Sequence, residues 1–350
     1  MFHVEHLDLI ETYLYINDTM SRKQSSSNQQ ISLFAAPPIA QKLRPVPQDA
    51  ATAALAARLP PTLRMGTSSW SFPGWAGLVY DGAYSADTLA KAGLAAYAQH
   101  PLLRTVGVDR SHYSPPPEAT WRALAAQVPA DFRFLVKAHE LCTLAVIPDH
   151  DRYGKHRGEA NPRFLDPAYA TEVVVEPTRA GLGDTLGMIL FQFAPQPIES
   201  LGGVDTFIER LYTFLSHLPP GPVYAVELRN GALITGAYAE ALRAAGATHC
   251  YNAIGGVPPI PAQLRRVPMG SRLVIRWMLR RELRYEEAVS HFAPFDRLAA
   301  PDPQTRAEIV AAILAAAGEV TVIVNNKAEG SSPRSVLALA EAVVAARSAG

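Results

Sequence analysis

The stretch VYAVELRN, residues 223–230, begins as an apolar run and ends in Glu227, Arg229 and Asn230. Such a run is typical of a buried strand, yet a carboxylate and a guanidinium are costly to bury unless they are paired. Other apolar runs of the chain end in the same way, which indicates one site built from several segments. The polar residues at these other ends are Ser68, Ser69 and Trp70, Asp109, Arg110, His112 and Tyr113, Lys137 and His139, Gln192, Asn252, Arg276 and Trp277, and Asn325, Asn326 and Lys327.

The chemistry of this set suits a small anion. Lys137, Arg229 and Arg276 could hold the anion, and Glu227 is a candidate general acid or base, because neighbouring cations and desolvation move a carboxyl pKa in opposite directions. Glu227 and Lys137 form the predicted catalytic set, and hydrolysis or isomerisation would suit it equally. Aromatic residues would stack on a flat substrate. The predicted substrate-binding set is Arg229, Arg276, Trp70, Asp109, Tyr113, Gln192, Asn326 and Ser331.

The segment NNKAEGSSPRS, residues 325–335, is the strongest ligand signal. A strand runs out into a glycine, two serines and the start of a helix, and free N–H groups at a helix N-terminus attract anions. Ordinary capping of the helix by Ser331 or Ser332 is the alternative.

The signal for a metal is weak. His112 and His139 do not form an HExxH motif, and the chain has no Cys–His cluster. A site built from Asp109, His139 and Glu227 across three strands is conceivable, but the prediction is no metal, and the sequence indicates no particular cofactor.

The elements that must position these residues alternate along the chain from Arg64. Predicted strands cover 63–70, 104–113, 132–139, 188–195, 223–230, 248–255, 272–279 and 320–326. Predicted helices cover 86–99, 117–127, 168–186, 204–217, 235–246, 259–266, 304–317 and 332–347, of which 259–266 is weak because it is proline-rich.

This alternation predicts an α/β fold, a (β/α)₈ TIM barrel, whose active site lies at the C-terminal ends of its strands. An open doubly wound sheet is the rival, but GTSSWSFPGWAG, which follows the first strand, contains no GxGxxG fingerprint. Two long segments, 140–167 and 280–303, would lie at the same end of the barrel as lids or as plain insertions.

Composition separates the first 62 residues from the rest. The stretch is polar and then proline-rich, which predicts a poorly ordered N-terminal extension with at most one short helix, before a barrel domain over 63–350. Met20 is an alternative start, so residues 1–19 could be an upstream extension.

The whole-chain composition narrows the class of protein. Net charge is zero, which disfavours a general nucleic-acid coat, and no apolar run is long enough to cross a bilayer. Two cysteines, Cys142 and Cys250, indicate a reducing compartment rather than a disulfide framework. A cytoplasmic protein is the expectation, and the oligomeric state is left open.

The chain resembles the domain-of-unknown-function 72 family, also called YecE-like. The matching motifs are GTSSWSFPGWAGLVY (66–80), VDRSHYSPP (108–116), FRFLVKA (132–138), LGMILFQFAP (186–195), YAVELRN (224–230), RLVIRW (272–277) and VIVNNKAEGSSPRSVLAL (322–339).

The resemblance implies a TIM barrel and no established reaction. Four positions depart from typical members, which have glutamate at Gly107 and phenylalanine at His112, and often histidine at Asn230 and aspartate at Asn252. The implied pocket residues are Trp70, Trp75, Tyr80, Asp109, Tyr113, Lys137, Gln192, Glu227, Arg229, Arg276, Asn326 and Gly330, and this resemblance adds Trp75 to the predicted substrate-binding set.

Three functions stay open on the sequence alone. The first is an enzyme that binds a small anionic substrate, phosphorylated or carboxylated, at the mouth of the barrel. The second is a protein that binds or processes nucleic acid. The third is a non-catalytic protein that binds a metabolite or serves as a scaffold.

Overall fold

Eight parallel strands close into a barrel in chain order, in a computed structural model that describes residues 43–349. β8 pairs with β1, so the sheet is closed and the rival doubly wound fold is ruled out. The predicted (β/α)₈ TIM barrel is therefore confirmed. The strands are β1 (Leu63–Thr67), β2 (Leu103–Val108), β3 (Arg133–Lys137), β4 (Leu186–Phe193), β5 (Tyr224–Leu228), β6 (Thr248–Ala253), β7 (Arg272–Trp277) and β8 (Glu319–Val324).

Every predicted helical segment contains a helix. The weak segment 259–266 forms a short helix with proline in its first turn, where no N–H is needed. Residues 168–186 form two helices joined by a π-helical turn at Thr171–Val175. The α-helices are α1 (Ala50–Ala57), α2 (Ala86–Ala92), α3 (Leu94–Tyr97), α4 (Glu118–Ala125), α5 (Pro167–Ala170), α6 (Glu176–Leu182), α7 (Val204–Ser216), α8 (Gly236–Ala244), α9 (Ile260–Arg266), α10 (Tyr285–Phe292), α11 (Pro303–Ala315) and α12 (Ser332–Ala349).

Several strands end earlier than their apolar runs suggest. The second predicted strand extended to residue 113, but β2 stops at Val108, and Asp109–His112 form a 3₁₀ turn. Ser111 holds this turn, because its Oγ lies 2.6 Å from the Val108 carbonyl and 2.7 Å from the Lys137 carbonyl. The polar residue Asp109 therefore lies in a loop just beyond its strand.

The barrel interior contains an apolar layer that is separate from the core between strands and helices. It is formed by residues of successive strands whose side chains pack together inside the barrel. Period-2 alternation sends their neighbours, such as Val136 and Val226, outward against the helices. The apolar layer consists mainly of Leu135, Leu190, Ala225, Cys250, Val274 and Ile323.

The last part of the predicted N-terminal extension lies against the barrel. Residues 43–62 include α1, whose N-cap Asp49 accepts a 2.7 Å hydrogen bond from the Thr52 N–H. The Arg58 carbonyl accepts a 2.7 Å hydrogen bond from Arg347 Nη1 in α12. The one short helix expected in the extension is thus present. The rest of the extension, with its alternative start at Met20, lies outside the described residues.

Across residues 43–349, no helix combines the length and the apolar character that crossing a membrane requires.

Candidate functional site

A polar layer lies directly above the apolar layer, toward the C-terminal ends of the strands. Each of its members follows a member of the apolar layer by two residues, so strand alternation points both into the barrel. Lys137 follows Leu135 in this way, and Glu227 follows Ala225. The polar layer consists of Lys137, Gln192, Glu227, Asn252, Arg276 and Asn325, all at least nine-tenths buried.

Glu227 is the centre of this layer. Its carboxylate is completely buried and accepts hydrogen bonds from three side chains. Arg229 Nε lies 2.9 Å from Oε1, Asn252 Nδ2 lies 2.6 Å from the same oxygen, and Arg276 Nη1 donates to Oε2. A buried carboxylate is tolerated only with such partners. Glu227, Asn252 and Arg276 lie on the neighbouring strands β5, β6 and β7, and Arg229 follows the end of β5 directly.

Arg276 extends the network to the opposite side of the barrel. Its Nη2 donates to both carboxylate oxygens of Asp109, at 3.0 and 3.2 Å. Burial disfavours the charged guanidinium, but Glu227 and Asp109 outweigh it and raise the pKa of Arg276 above its ordinary value. The sequence prediction that Lys137, Glu227, Arg229 and Arg276 meet at one barrel mouth therefore matches the geometry.

The surroundings of Glu227 do not suit the acid–base role expected of it. Burial would raise its pKa, yet Arg276 and Arg229 outweigh burial and lower the pKa to about 2. A carboxylate with that pKa and with hydrogen-bond donors on both oxygens is a poor proton carrier near neutral pH. Glu227 instead orients the two arginines.

Lys137 has the opposite character. The residue lies in the polar layer and only 7% of its surface is exposed. It makes no hydrogen bond or ion pair within residues 43–349. Burial lowers its pKa to about 7, with Asp109 opposing the shift and Arg229 adding to it. This amine can therefore gain and lose a proton near neutral pH.

Lys327, just after β8, is a second amine of this kind. It is 8% exposed, and burial lowers its pKa to about 8. Its Nζ lies 4.5 Å from the centre of the Tyr285 ring. Asp109 and Arg229 act electrostatically on both lysines, so the two amines face one charged region. Lys327 ends an apolar run in the sequence, but it is absent from the predicted catalytic and substrate-binding sets.

Tyr113 and Gln192 complete the accessible part of the mouth. Tyr113 is 40% exposed, and its ring centre lies 6.0 Å from Lys137 Nζ. Gln192 pairs with Glu227 in the β4–β5 ladder, and its side-chain amide makes no hydrogen bond in the described part of the chain. Both residues lie at the mouth, Tyr113 at its surface and Gln192 in the buried polar layer, and their role in substrate binding stays a prediction.

The segment 140–167, which follows β3, covers one side of the mouth. Arg152 forms an ion pair with the buried Glu140, and its guanidinium carbon lies 5.1 Å from the centre of the Tyr113 ring. Burial raises the pKa of Glu140, and Arg152 opposes that shift. Arg152 is not among the predicted site residues, because a charged run in the sequence gives no sign of which member folds back.

The segment 280–303, which follows β7, covers the other side. It carries α10, whose first residue Tyr285 contacts Lys327. Phe295 packs edge-on against Phe72 of the loop after β1, with ring centres 5.8 Å apart. The approach is so close that a Cβ on Gly74 would lie 1.7 Å from the Pro294 carbonyl oxygen. Both long segments therefore lie over the mouth, and whether they act as lids or are plain insertions stays a prediction.

Trp70 and Trp75 lie in the core instead of at the mouth. Trp70 donates its indole N–H to the Leu89 carbonyl at 3.1 Å, and Trp75 donates its own to Asn326 Oδ1 at 3.2 Å. Both are at least 97% buried, at 3% and 0% exposure, so neither ring presents a face to a substrate. Tyr80, implied by the family resemblance, is also buried and donates to the Trp70 carbonyl.

Asn326 and Ser331 hold the start of α12. Asn326 Oδ1 accepts hydrogen bonds from the Ser332 N–H and the Ser332 hydroxyl, both at 2.8 Å, as well as from Trp75. Ser331 is completely buried. This geometry is the capping alternative, although by Asn326 rather than by a serine. It leaves the helix N-terminus covered by Asn326, and the anion site at 325–335 stays a prediction.

Replacing Ser331 with alanine should therefore leave ligand binding unchanged. The buried Ser331 hydroxyl has no hydrogen-bond partner among residues 43–349, so its removal should change the free energy of unfolding by less than about 1 kcal/mol. Urea unfolding and a titration with sulfate would check both points. A tenfold loss of sulfate affinity in Ser331→Ala would restore the anion site at the helix N-terminus.

The described residues contain no group of three or more His, Cys, Asp or Glu side chains that could hold a metal ion. The conceivable site of Asp109, His139 and Glu227 is not assembled. His139 Nδ1 instead lies 2.7 Å from the Tyr169 hydroxyl, and both carboxylates are engaged by Arg276.

The departures from typical family members change the charge of the mouth. Asn252 donates to Glu227 where an aspartate would repel it. Asn230 exchanges hydrogen bonds with the Gln196 backbone, at 2.9 and 3.0 Å, and so joins the loops after β4 and β5. Gly107 faces Ile323 inside the barrel and carries no acid. These substitutions leave the cations of the mouth in excess.

Comparison with solved structures shows the same fold. A DUF72 family protein from Enterococcus faecalis V583 is 19% identical, with a TM-score of 0.56 over 80% of this chain and 95% of that one. A DUF72 family protein from Thermotoga maritima MSB8 is also 19% identical, with a TM-score of 0.51 over 80% of this chain and 98% of that one. No curated protein matches the sequence.

The family model "Protein of unknown function DUF72" matches residues 64–349, which include every strand of the barrel except the first residue of β1. It therefore covers the polar layer and both segments over the mouth. The chain belongs to the DUF72 family, also called YecE-like.

Proposed function

We propose that this protein is an enzyme that binds a small anionic substrate, phosphorylated or carboxylated, at the mouth of its barrel. One observation carries the proposal. Arg229 and Arg276 are paired with Asp109 and Glu227, whereas Lys137 and Lys327 have no carboxylate partner within residues 43–349. Protonated, these lysines give the mouth an excess of positive charge. A dianion such as a phosphate monoester or a dicarboxylate would balance it.

The remaining groups at the mouth suit recognition of a small molecule. Arg229 and Asp109 keep 20% and 26% of their side chains exposed, so both can reach a ligand. Tyr113 offers a ring face, and Gln192 offers an unused amide. Lys137 takes over the acid–base role from Glu227, because its pKa of about 7 matches neutral conditions.

The affinity for sulfate should fall as the pH rises from 6 to 9. Sulfate remains a dianion over this range, whereas Lys137 loses its proton near pH 7 and Lys327 near pH 8. Each lost cation should weaken binding by about tenfold, because a charge-assisted hydrogen bond contributes about 1.5–3 kcal/mol. Calorimetric titration at constant ionic strength measures the effect. Sulfate binding that does not change between pH 6 and pH 9 would contradict the proposal.

A titration with single- and double-stranded DNA tests whether the protein binds nucleic acid instead of a small anion. DNA affinity that falls steeply with salt would favour that alternative over a small anion. A metabolite that stabilises the protein and is never converted would favour the non-catalytic alternative. We also propose a cytoplasmic location, which is supported by the free, buried thiols of Cys142 and Cys250.

A further inference from the structure

Lys137 is the one strand residue of the polar layer that carries a primary amine. It is rooted at the last position of β3, so its backbone is fixed by the barrel. Its Nζ has an aromatic ring at 6.0 Å and no hydrogen-bond acceptor within the described part of the chain. A buried ammonium ion without acceptors is unfavourable, and the group avoids that cost by giving up its proton.

The groups around Lys137 come from every side of the mouth. Carboxylates and cations both face it, and its pKa of about 7 reflects their sum together with burial. The charged and titratable neighbours are Asp109, His112 and Tyr113 after β2, Glu140 and Arg152 after β3, Glu227 and Arg229 at β5, Arg276 on β7, and Lys327 after β8.

We propose that Lys137 forms a Schiff base with the carbonyl carbon of an anionic aldehyde or ketone. This inference rests on the proposed function, and it names the substrate class more closely. Lys327, protonated at pH 7, and the partly exposed Arg229 would hold the phosphate or carboxylate group of the substrate, which brings its carbonyl to the free amine of Lys137. A neutral amine in a partly apolar site is the form that attacks carbonyl carbon.

The step balances without any oxidant or reductant. The Nζ lone pair forms the C–N bond, and the carbonyl electron pair moves to oxygen, which takes up a proton. Nitrogen loses a proton, and the carbinolamine results. Its hydroxyl group is then protonated and leaves as water, so the product is a protonated imine. Asp109 is partly exposed and its charge acts on Lys137, so we expect Asp109 to carry these protons.

Reductive trapping tests the proposal with glyoxylate, the simplest anionic aldehyde, and borohydride at pH 7. The full-length protein is treated, digested and mapped by mass spectrometry. Lys91 is the matched internal control, because it is an exposed helix lysine paired with Asp87. At pH 7 an ordinary lysine is about one part in a thousand or less free amine, whereas Lys137 is about half free. We therefore expect labelling of Lys137 at least about tenfold faster than that of Lys91.

Two variants and a competitor complete the design. Lys137→Met should lose the label at this peptide, and Lys91→Met, which changes only an exposed helix lysine, should leave the rate of labelling at Lys137 unchanged. Propionaldehyde, which lacks a charge, should label Lys137 more slowly than glyoxylate does, and sulfate should slow the glyoxylate reaction.

The failures of the two proposals are distinguishable. Sulfate binding together with labelling of Lys137 no faster than that of Lys91 would overturn the Schiff base and leave the anion site intact. Fast labelling of Lys137 that sulfate neither slows nor competes with would overturn the anion site, and with it the claim that the carbonyl substrate is anionic.

Discussion

Replacing Glu227 with glutamine is expected to lower the free energy of unfolding by about 3–5 kcal/mol, because the substitution leaves the buried Arg276 with one of its two anionic partners removed. Arg229 loses its carboxylate at the same time. Urea unfolding followed by circular dichroism measures the change. The protein should be most affected at the top of the barrel, where three strands meet at this carboxylate.

Glu240→Gln is the matched control for this prediction. Glu240 also pairs with an arginine, Arg243, but the pair lies on the surface of α8 with both side chains about two-thirds exposed or more, at 66% and 73%. Exposed ion pairs contribute about 0–1 kcal/mol, so this variant should unfold almost like the native protein. Equal stabilities of the Glu227→Gln and Glu240→Gln variants would show that the carboxylate of Glu227 does not hold the network together.

Replacing Lys137 with methionine should weaken sulfate binding at pH 6 by about tenfold and at the same time stabilise the protein. Methionine keeps the length of the side chain and removes the amine that has no acceptor. In the unfolded chain the lysine titrates near its ordinary pKa of about 10.4. Between pH 7 and pH 10 the unfolded chain therefore holds a proton that the folded chain lacks, and the stability of the native protein rises with pH.

The pH dependence of the stabilisation by Lys137→Met tests this prediction. Below pH 7 the folded protein bears the full cost of the buried ammonium, so Lys137→Met should gain roughly 1–4 kcal/mol there, and the gain should shrink as the pH approaches 10. Lys91→Met is the control, since that amine is exposed. A gain that does not depend on pH, or a loss of stability near pH 6, would mean that Lys137 is not the buried, unpaired amine described above.

The fold was predictable because its signals are local and repeated. Each strand contributes a run of β-branched and aromatic residues, and each helix an alanine- and leucine-rich run, so the alternation alone indicates a barrel. The meeting of Glu227 and Arg276 was predictable for the same reason, since parallel strands bring their C-terminal ends together. The family motifs added Trp75, although they could not tell a ligand contact from a core residue.

The roles within the site were not predictable, because they depend on which side chains pair. Lys137 and Arg276 are both strand-end cations in the sequence, yet one has two carboxylate partners and the other has none. Trp75 and Asn326 are separated by 251 positions and meet through one hydrogen bond, which turns both away from the mouth. Pairing across such distances leaves no periodic trace in the sequence.

The bridge that Arg276 makes between Asp109 and Glu227 has a mechanical consequence. Arg276 links β7 to Asp109, just after β2, across the barrel. Through Glu227 it also links β7 to β5. The C-terminal end of the barrel therefore cannot widen without breaking these charged contacts. A ligand would therefore reach the polar layer past the two segments that lie over the mouth, 140–167 and 280–303, rather than between the strands.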